Sequence, residues 1–550
     1  MKSKQLVNYW SVITALCIAF FFLFFIFPVS KIFVQSFIDA KTGGFSFSAF
    51  TKFFSRTYYT STIANSFKVT ITATLITTIT GTMMAYFMKT VSIKGKKIID
   101  IIIIVSILSP PFIGAYSWII LLGRAGIITK FLNTLLGVQL RGVYGFSGIL
   151  LVFAIKMTPL MYLFVSGALK KMDASLIECA EGLGCTGIRK FFRIVFPLIL
   201  PTILSSSFLV FMRIFCDFGT PMLIGEGYRT VPVLIYNSFI GEMNQDYAFA
   251  AAISVIVIIF SVIIFVSQQI VTNRTTIEMS ALQPVMPEKK RGAYNVFAHV
   301  FVWLVVLLSS LPLLVIVIQS FKRNDGIIFF NEFSLDSYAK AFSKVGYSIA
   351  NTFVYSFAAL AIILFLGVLF SYVSIRKSTK ASKVMDVIVT LPYIIPGSIL
   401  GISLILGFNK RPVLLTGTAL IMVVAYVIRR MPYTVRSSSA ILRQIEPSLE
   451  EASLSLGANE HRTFWQVTFP VMLPGVLSGA LMSWMSIITE LSATVLLYTI
   501  KTQTISIAIY QEVIRGNEGV ACALSTILLV TTIVSLAVFF KLSGKKEIEL

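Results

Sequence analysis

The stretch Asp173-Ala174-Ser175-Leu176-Ile177-Glu178-Cys179-Ala180-Glu181-Gly182-Leu183-Gly184 recurs downstream as Glu446-Pro447-Ser448-Leu449-Glu450-Glu451-Ala452-Ser453-Leu454-Ser455-Leu456-Gly457. Each copy starts on an acidic residue, passes through Ser-Leu and a Glu, and ends on Leu-Gly. Each leads on to Phe-Pro, at Phe196-Pro197 and Phe469-Pro470. Small residues and Leu favour a short helix. Acidic side chains in its first turn suit the helix dipole, and Pro447 suits the first helical turn. Gly184 and Gly457 suit the left-handed position that ends a helix. The spacing predicts a helix, a turn and a second amphipathic helix, with Phe191, Phe192 and Val195 on one side of the latter in the first copy. Pro197 and Pro470 are expected to open the helix that follows.

Working outward, apolar runs flank both copies. A bilayer core needs about 20 apolar residues in a helix, and about twelve such stretches occur. In the first half they are Trp10–Val34, Ser61–Met88, Ile98–Leu122, Phe146–Leu169, Leu198–Leu223 and Ala248–Ile270. In the second they are Val296–Gln319, Ile349–Val373, Val384–Phe408, Leu414–Arg436, Val471–Tyr498 and Val520–Phe540. Composition agrees: 56% of the 550 residues are hydrophobic and 13% are charged, against roughly 25% charged in soluble domains. Lipid is therefore expected to cover much of the surface. The first run is longer than the apolar region of a signal peptide, about 7–15 residues, and reads as the first transmembrane helix.

The repeat extends beyond the loop. Ile63-Ala64-Asn65-Ser66-Phe67 matches Ile349-Ala350-Asn351-Thr352-Phe353, residue 349 against residue 63, an offset of 286. Gly81 and Gly367, Tyr86 and Tyr372, and Asp100 and Asp386 keep it. From Glu178 against Glu451 onward the offset is 273, so the first half carries 13 extra residues, expected near Gly123–Tyr144. An even number of spans separates the copies, which makes this a parallel repeat.

The 46 Lys and Arg exceed the 24 Asp and Glu, for a net charge of +22. These basic residues sit in alternate short loops, so the positive-inside rule accounts for them better than nucleic acid does, and it places both termini in the cytoplasm. Residues 272–295 are polar, with Pro284, Pro287 and Lys289-Lys290-Arg291, and read as a cytoplasmic linker between a first unit (1–271) and a second (296–550). The five cysteines and two histidines show no metal-ligand spacing, so no metal site is expected.

Within the apolar runs, Asp217 and Glu490 occupy equivalent places, each 20 residues after the Pro expected to open its helix, Pro197 or Pro470. That is about 30 Å along an unbroken helix, near the external mouth, and both are candidates for a pathway or gate. Arg213 is placed to pair with Asp217 one turn away, whereas Glu490 has no such neighbour. Asp217-Phe218-Gly219-Thr220-Pro221 is expected to unwind and line a cavity. Lys156, Arg429 and Arg430 are expected to snorkel from helix ends.

The duplicated loop closely resembles the E-A-A-x-x-x-G loop of binding-protein-dependent ABC importer permeases, and the resemblance covers essentially the whole chain. Cys179 replaces the first Ala in copy one, and Ser453 the second Ala in copy two. The resemblance implies an all-α membrane protein of two parallel six-helix repeats, the type I ABC importer transmembrane domain, in a bacterial inner membrane. It implies that Glu178, Ala180, Gly184 and Pro197, with Glu451, Ala452, Gly457 and Pro470, couple the chain to an ATPase, one copy per loop. It also implies an extracytoplasmic substrate-binding protein. The chain has no G-x-x-x-x-G-K-[ST] loop, so ATP and Mg are expected in the partner, with no cofactor here. Two fused halves and the Asp217-Phe218-Gly219 element most resemble ferric-iron permeases. Thiamine, phosphonate, polyamine or sulfate permeases are alternatives, as is an ATP-independent secondary transporter. No catalytic constellation points to a membrane enzyme.

Overall fold

The computed structural model describes residues 9–39, 42–109, 111–137, 142–241, 246–275, 292–377 and 380–543. The central part of the expected linker, 276–291, lies outside the described residues, as do Lys2, Lys4, Lys545 and Lys546. The first half contains α1 (Trp10–Ser36), α2 (Thr57–Thr90), α3 (Lys96–Leu108), α4 (Pro111–Leu122), α5 (Gly145–Lys170), α6 (Ala174–Gly182), α7 (Gly187–Phe215) and α8 (Tyr247–Thr275). The second contains α9 (Ala293–Ser320), α10 (Asp336–Arg376), α11 (Lys380–Ile394), α12 (Gly397–Phe408), α13 (Ala419–Gln444), α14 (Ser448–Ser455), α15 (Glu460–Ile488) and α16 (Glu518–Ser543).

Among the described residues, ten helical segments are long and apolar enough to cross a membrane, and α11 with α12 makes an eleventh if that bent pair is one span. The twelfth expected segment is α13, whose apolar run is interrupted by Arg429, Arg430 and Arg436. Outward faces carry exposed Leu16, Phe22, Leu75, Ile79, Val354 and Phe365, the surface that hydrocarbon requires.

Four expected spans are broken. The run Ile98–Leu122 divides between α3 and α4 at Ser109 and the prolines after it, and Val384–Phe408 bends by 111° between Ile394 and Gly397. Pro396 follows Pro110 at the repeat offset of 286; proline removes a donor and crowds the preceding turn. Likewise Leu198–Leu223 stops at Phe215 and resumes as Gly219–Ile224, and Val471–Tyr498 stops at Ile488 and resumes as Thr494–Leu497. The unwinding expected around Asp217 is therefore present, and it is duplicated.

Pro197 and Pro470 do not open new helices. Both lie inside continuous helices, α7 and α15, just after a π-turn at Phe191–Val195 or Phe464–Thr468. In these turns Phe196 donates to the Phe191 carbonyl and Phe469 to the Phe464 carbonyl, one residue further back than in an α-helix. The wider turn accommodates the proline that follows. The same device precedes Pro28, where Phe27 donates to Phe22.

Each half has a three-helix core, α2 on α5 and α7 in the first, α10 on α13 and α15 in the second. The repeated glycines explain the close approach. A Cβ on Gly81 would lie 2.6 Å from Met161 Cβ, and one on Gly367 would lie 3.2 Å from Thr434 Cγ2. Met161 and Thr434 are themselves 273 apart.

The repeated Asn and its neighbour tie down the loop at the far end of the bundle. Asn65 Nδ2 donates to Arg229 O (3.1 Å), and Asn351 Nδ2 to Lys501 O (2.9 Å). Ser66 Oγ accepts from Val231 N (2.9 Å), and Thr352 Oγ1 from Ile505 N (2.8 Å). Asp100 and Asp386 share no such role, since Asp100 accepts from Tyr162 Oη at 2.7 Å whereas Asp386 is exposed. The extra residues of the first half form a helix, Ile127–Leu136, without a counterpart in the second.

The halves exchange their first helices. Trp10 of α1 packs on Tyr372 (4.4 Å between ring centroids) and Phe464 (5.2 Å) of the second half, and Phe24 packs on Phe408 (5.7 Å). Reciprocally, α9 places Phe301 against Phe87 (5.6 Å), and Ser106 Oγ donates to Ser309 O (3.3 Å). A two-stranded hairpin, Lys322–Asp325 with Ile328–Phe333, follows α9 and pairs Arg323 with Glu332 at 3.0 Å.

Because the α2–α5 contact has no room for a side chain, Gly81→Leu is expected to destabilise the protein by about 1–3 kcal/mol through overpacking. Thermal unfolding in detergent measures this; an unchanged midpoint would show that the contact is not tight.

Candidate functional site

The duplicated loops fold as their sequence indicates. In the first, Asp173 caps α6 by accepting from Ser175 N (2.9 Å). Its end is a left-handed glycine closure: Gly184 has φ +77°, its N–H donates to Glu181 O (2.9 Å), and Cys185 N donates to Ala180 O (2.8 Å). The second copy is the same. Gly457 has φ +89°, its N–H donates to Leu454 O (3.0 Å), and Ala458 N donates to Ser453 O (3.2 Å). These bonds satisfy the last carbonyls of each short helix.

The closure leaves an apolar side chain standing clear of each loop. Leu183 is 88% exposed and Leu456 is 89% exposed, and Leu176 and Leu449 are 48% exposed each. Glu178 and Glu451 are exposed beside them. A Cβ on either glycine would meet nothing within 4 Å, so the demand there is on backbone conformation. Ala180 is buried, whereas Ala452 is exposed. Lys190 forms an ion pair with Glu181 within the first loop.

A second set of charges lies at the helix breaks. Glu490, with its side chain 2% exposed, receives Arg429 Nη1 (3.2 Å) and is also paired with Arg430. Its Oε1 caps the resumed helix by accepting from Ala493 N (3.1 Å). Asp217 does the same in the first half, accepting from Thr220 N (2.8 Å). Lys156 stands 273 before Arg429, and its Nζ donates to Ser109 O (2.9 Å), a carbonyl freed by the break after α3. Both Lys156 and Arg429, one from each half, act electrostatically on Asp217. Cys216 Sγ donates to Ile394 O at 3.6 Å, which joins a break of one half to a break of the other.

This geometry corrects three expectations. Glu490 does have partners, on α13 rather than on its own helix. Arg213 turns from Asp217 toward Tyr393 and Tyr433 of the second half. Lys156, Arg429 and Arg430 do not snorkel from helix ends: Arg429 and Arg430 lie in the middle of α13 and are largely buried, and Lys156 is half-buried. Burial without hydrocarbon contact is possible because the opposite helix ends bring the acids to them. A single run of sequence does not reveal such a pairing, although the 156/429 match at offset 273 carries a trace of it. Among the described residues, no group of His, Cys, Asp and Glu is arranged to hold a metal ion.

The architecture is that of a membrane-embedded permease with one helix–turn–helix loop in each half. The profile of the family described as the binding-protein-dependent transport system inner membrane component matches residues 77–277 and again 363–543, and the chain belongs to that family. The two matches start 286 residues apart, the offset read from the repeat. The chain is thus a multi-pass inner-membrane transport component that works with an ATPase and a substrate-binding protein. It is similar, at 29% identity over 96% of its length and 77% of the relative's, to a ferric transport system permease protein FbpB of Actinobacillus pleuropneumoniae. A putative ferric transport system permease protein FbpB 1 of Haemophilus influenzae is also 29% identical, over 89% of this chain and 78% of that protein. A putative 2-aminoethylphosphonate transport system permease protein PhnU of Salmonella typhi is 25% identical over 48% of this chain and 91% of that protein.

Removing the carboxylate of Glu490 leaves two guanidinium groups unpaired. Glu490→Gln is expected to cost about 3–5 kcal/mol, the penalty for stranding a buried charge. Glu490→Asp should cost less. A thermal midpoint for Glu490→Gln equal to wild type would mean that the cluster is solvated.

Proposed function

We propose that this chain is the fused permease subunit of an ATP-driven importer for ferric iron, with residues 1–271 and 296–550 as its two transmembrane units. The observation that carries the importer reading is the duplicated loop, with the same glycine closure and the same exposed leucine in both copies. Burying one such Leu contributes about 1.5–3 kcal/mol, so each loop can supply one apolar anchor of a larger ATPase contact, with Glu178 or Glu451 beside it. Two ATPase copies per chain, binding ATP and Mg themselves, follow from two loops. The basic loops support cytoplasmic termini and an extracytoplasmic binding protein at the opposite face, with lipid around the helices.

Closure of an ATPase dimer would draw the two loops together. Because α7 and α15 continue without interruption from the loops to the breaks, the pull reaches Asp217 and Glu490, the candidate gate. The names of the full-length relatives support iron. A second reading, an anionic solute such as a phosphonate, has one observation in its favour. The cluster at the breaks holds four basic side chains (Lys156, Arg213, Arg429, Arg430) against two acids.

Reconstitution in liposomes with the partner ATPase and binding protein tests this. Ferric-loaded binding protein should stimulate ATP hydrolysis and iron uptake. Stimulation by a phosphonate alone would select the second reading, and uptake without any ATPase would select a secondary transporter. Gly184→Val combined with Gly457→Val forces a branched side chain into left-handed backbone at a cost of about 1–2 kcal/mol per site. The double variant should lose stable association with the ATPase, read by co-purification; undiminished co-purification would contradict the docking role.

A further inference from the structure

The two loops are attached to their halves by different chemistry. In the second half, Glu450 of α14 accepts from Arg376 Nε (2.9 Å) and from Tyr372 Oη (3.1 Å), and Arg376 Nη2 donates to Ile445 O (2.7 Å). The Arg376 and Glu450 side chains are each 12% exposed. Lys377, the next residue, reaches Glu460 at the start of α15 (2.9 Å). Tyr372 is itself held between Trp10 (4.4 Å) and Phe464 (4.7 Å).

At the equivalent positions of the first half the tyrosine is kept, as Tyr86 on Phe191 (4.8 Å), but the charged groups are replaced. Thr90 stands for Arg376, Val91 for Lys377, Ile177 for Glu450 and Gly187 for Glu460. Thr90 Oγ1 donates within its own helix to Tyr86 O (2.8 Å), and Ile177 joins an apolar cluster. Apolar contact is non-directional and lets surfaces slide. A charge-assisted, multiply hydrogen-bonded pair fixes both distance and angle.

From Val345 to Arg376 α10 is uninterrupted, roughly 45 Å at the rise of an α-helix. Its one departure from helical backbone is at Val345 (φ −133°, ψ 17°). There Lys344, Val345 and Tyr347 line a cavity of about 280 Å³ together with Gln503, Gln511 and Glu512. A displacement of α14 therefore has a stiff path to the opposite face, ending at a hinge beside a polar cavity. In the first half α2 is of similar length, Thr57–Thr90, and its loop end carries Thr90 and Val91 where α10 carries Arg376 and Lys377.

We infer that Arg376 and Glu450 are positioning residues that clamp the second loop to α10, and that the second half carries most of the coupling between ATP hydrolysis and transport. This rests on the proposed importer function. The two halves are then mechanically unequal although their loops are equal in shape.

The test is the ratio of substrate uptake to ATP hydrolysis in liposomes holding the complete complex. Glu450→Gln and Arg376→Gln should lower that ratio at least about fivefold while hydrolysis itself persists. The reversal Arg376→Glu with Glu450→Arg should restore a large part of it. Thr90→Val, at the first-half position equivalent to Arg376 and outside the loop, should leave the ratio unchanged. If a single variant fails to assemble with the ATPase, Tyr372→Phe, which deletes one hydroxyl on Glu450, takes its place and should still lower the ratio. Wild-type ratios in the assembled Glu450 and Tyr372 variants, or an equal loss in Thr90→Val, would overturn the inference. A wild-type complex that takes up nothing contradicts the importer reading itself and the inference with it.

Discussion

Hydrocarbon offers no partner to a backbone N–H or C=O, so a chain in it must be helical or be covered by its own side chains where the helix stops. The interior of this protein is organised by that constraint. Helices stop after Leu108, Phe215, Ile394 and Ile488, two stops in each half. At each stop a side chain meets a freed backbone group: Lys156 at Ser109, Asp217 at Thr220, Cys216 at Ile394 and Glu490 at Ala493. The charges cannot be read apart from the breaks. They close them, and beside them Arg213 reaches Tyr393 and Tyr433 of the other half.

Much of this was legible in the sequence. The helical class, the parallel repeat, the shift of offset from 286 to 273 and the glycine closures at Gly184 and Gly457 all follow from local rules that hold wherever the residues sit. The breaks were only half legible. Asp217-Phe218-Gly219-Thr220-Pro221 announces itself by its glycine and proline, whereas Ile487–Ala493 holds Glu490 but neither a glycine nor a proline. What could not be read was partnership. Glu490 looked isolated because its partners stand 60 residues earlier on another helix, and Arg213 looked paired because spacing along one helix says nothing of the tyrosines that approach from the other half. The prolines misled for a related reason. A π-turn costs little and leaves no mark in sequence, so Pro197 and Pro470 could bend a continuous helix where a helix start was expected.

The exchange of α1 and α9 gives the fold its second constraint. Each half is covered by a helix from the other, so neither can rotate as a free unit. Trp10 reaches the region of the second loop, next to Tyr372 and Phe464, and Phe301 and Phe297 pack on Phe87 of α2. The loops Asp173–Gly184 and Glu446–Gly457 keep the repeat, whereas the breaks after Phe215 and Ile488 keep only an acid, Asp217 or Glu490. Duplication supplies two similar levers. The second carries the Arg376–Glu450 pair where the first has Thr90 and Ile177.

The account depends on one chain presenting two docking loops to an ATPase. The most direct measurement is the mass of the intact complex purified in mild detergent with its ATPase and kept assembled under native ionisation. Two ATPase subunits per chain are predicted. A stable complex with one, or a chain that transports with none bound, would contradict it.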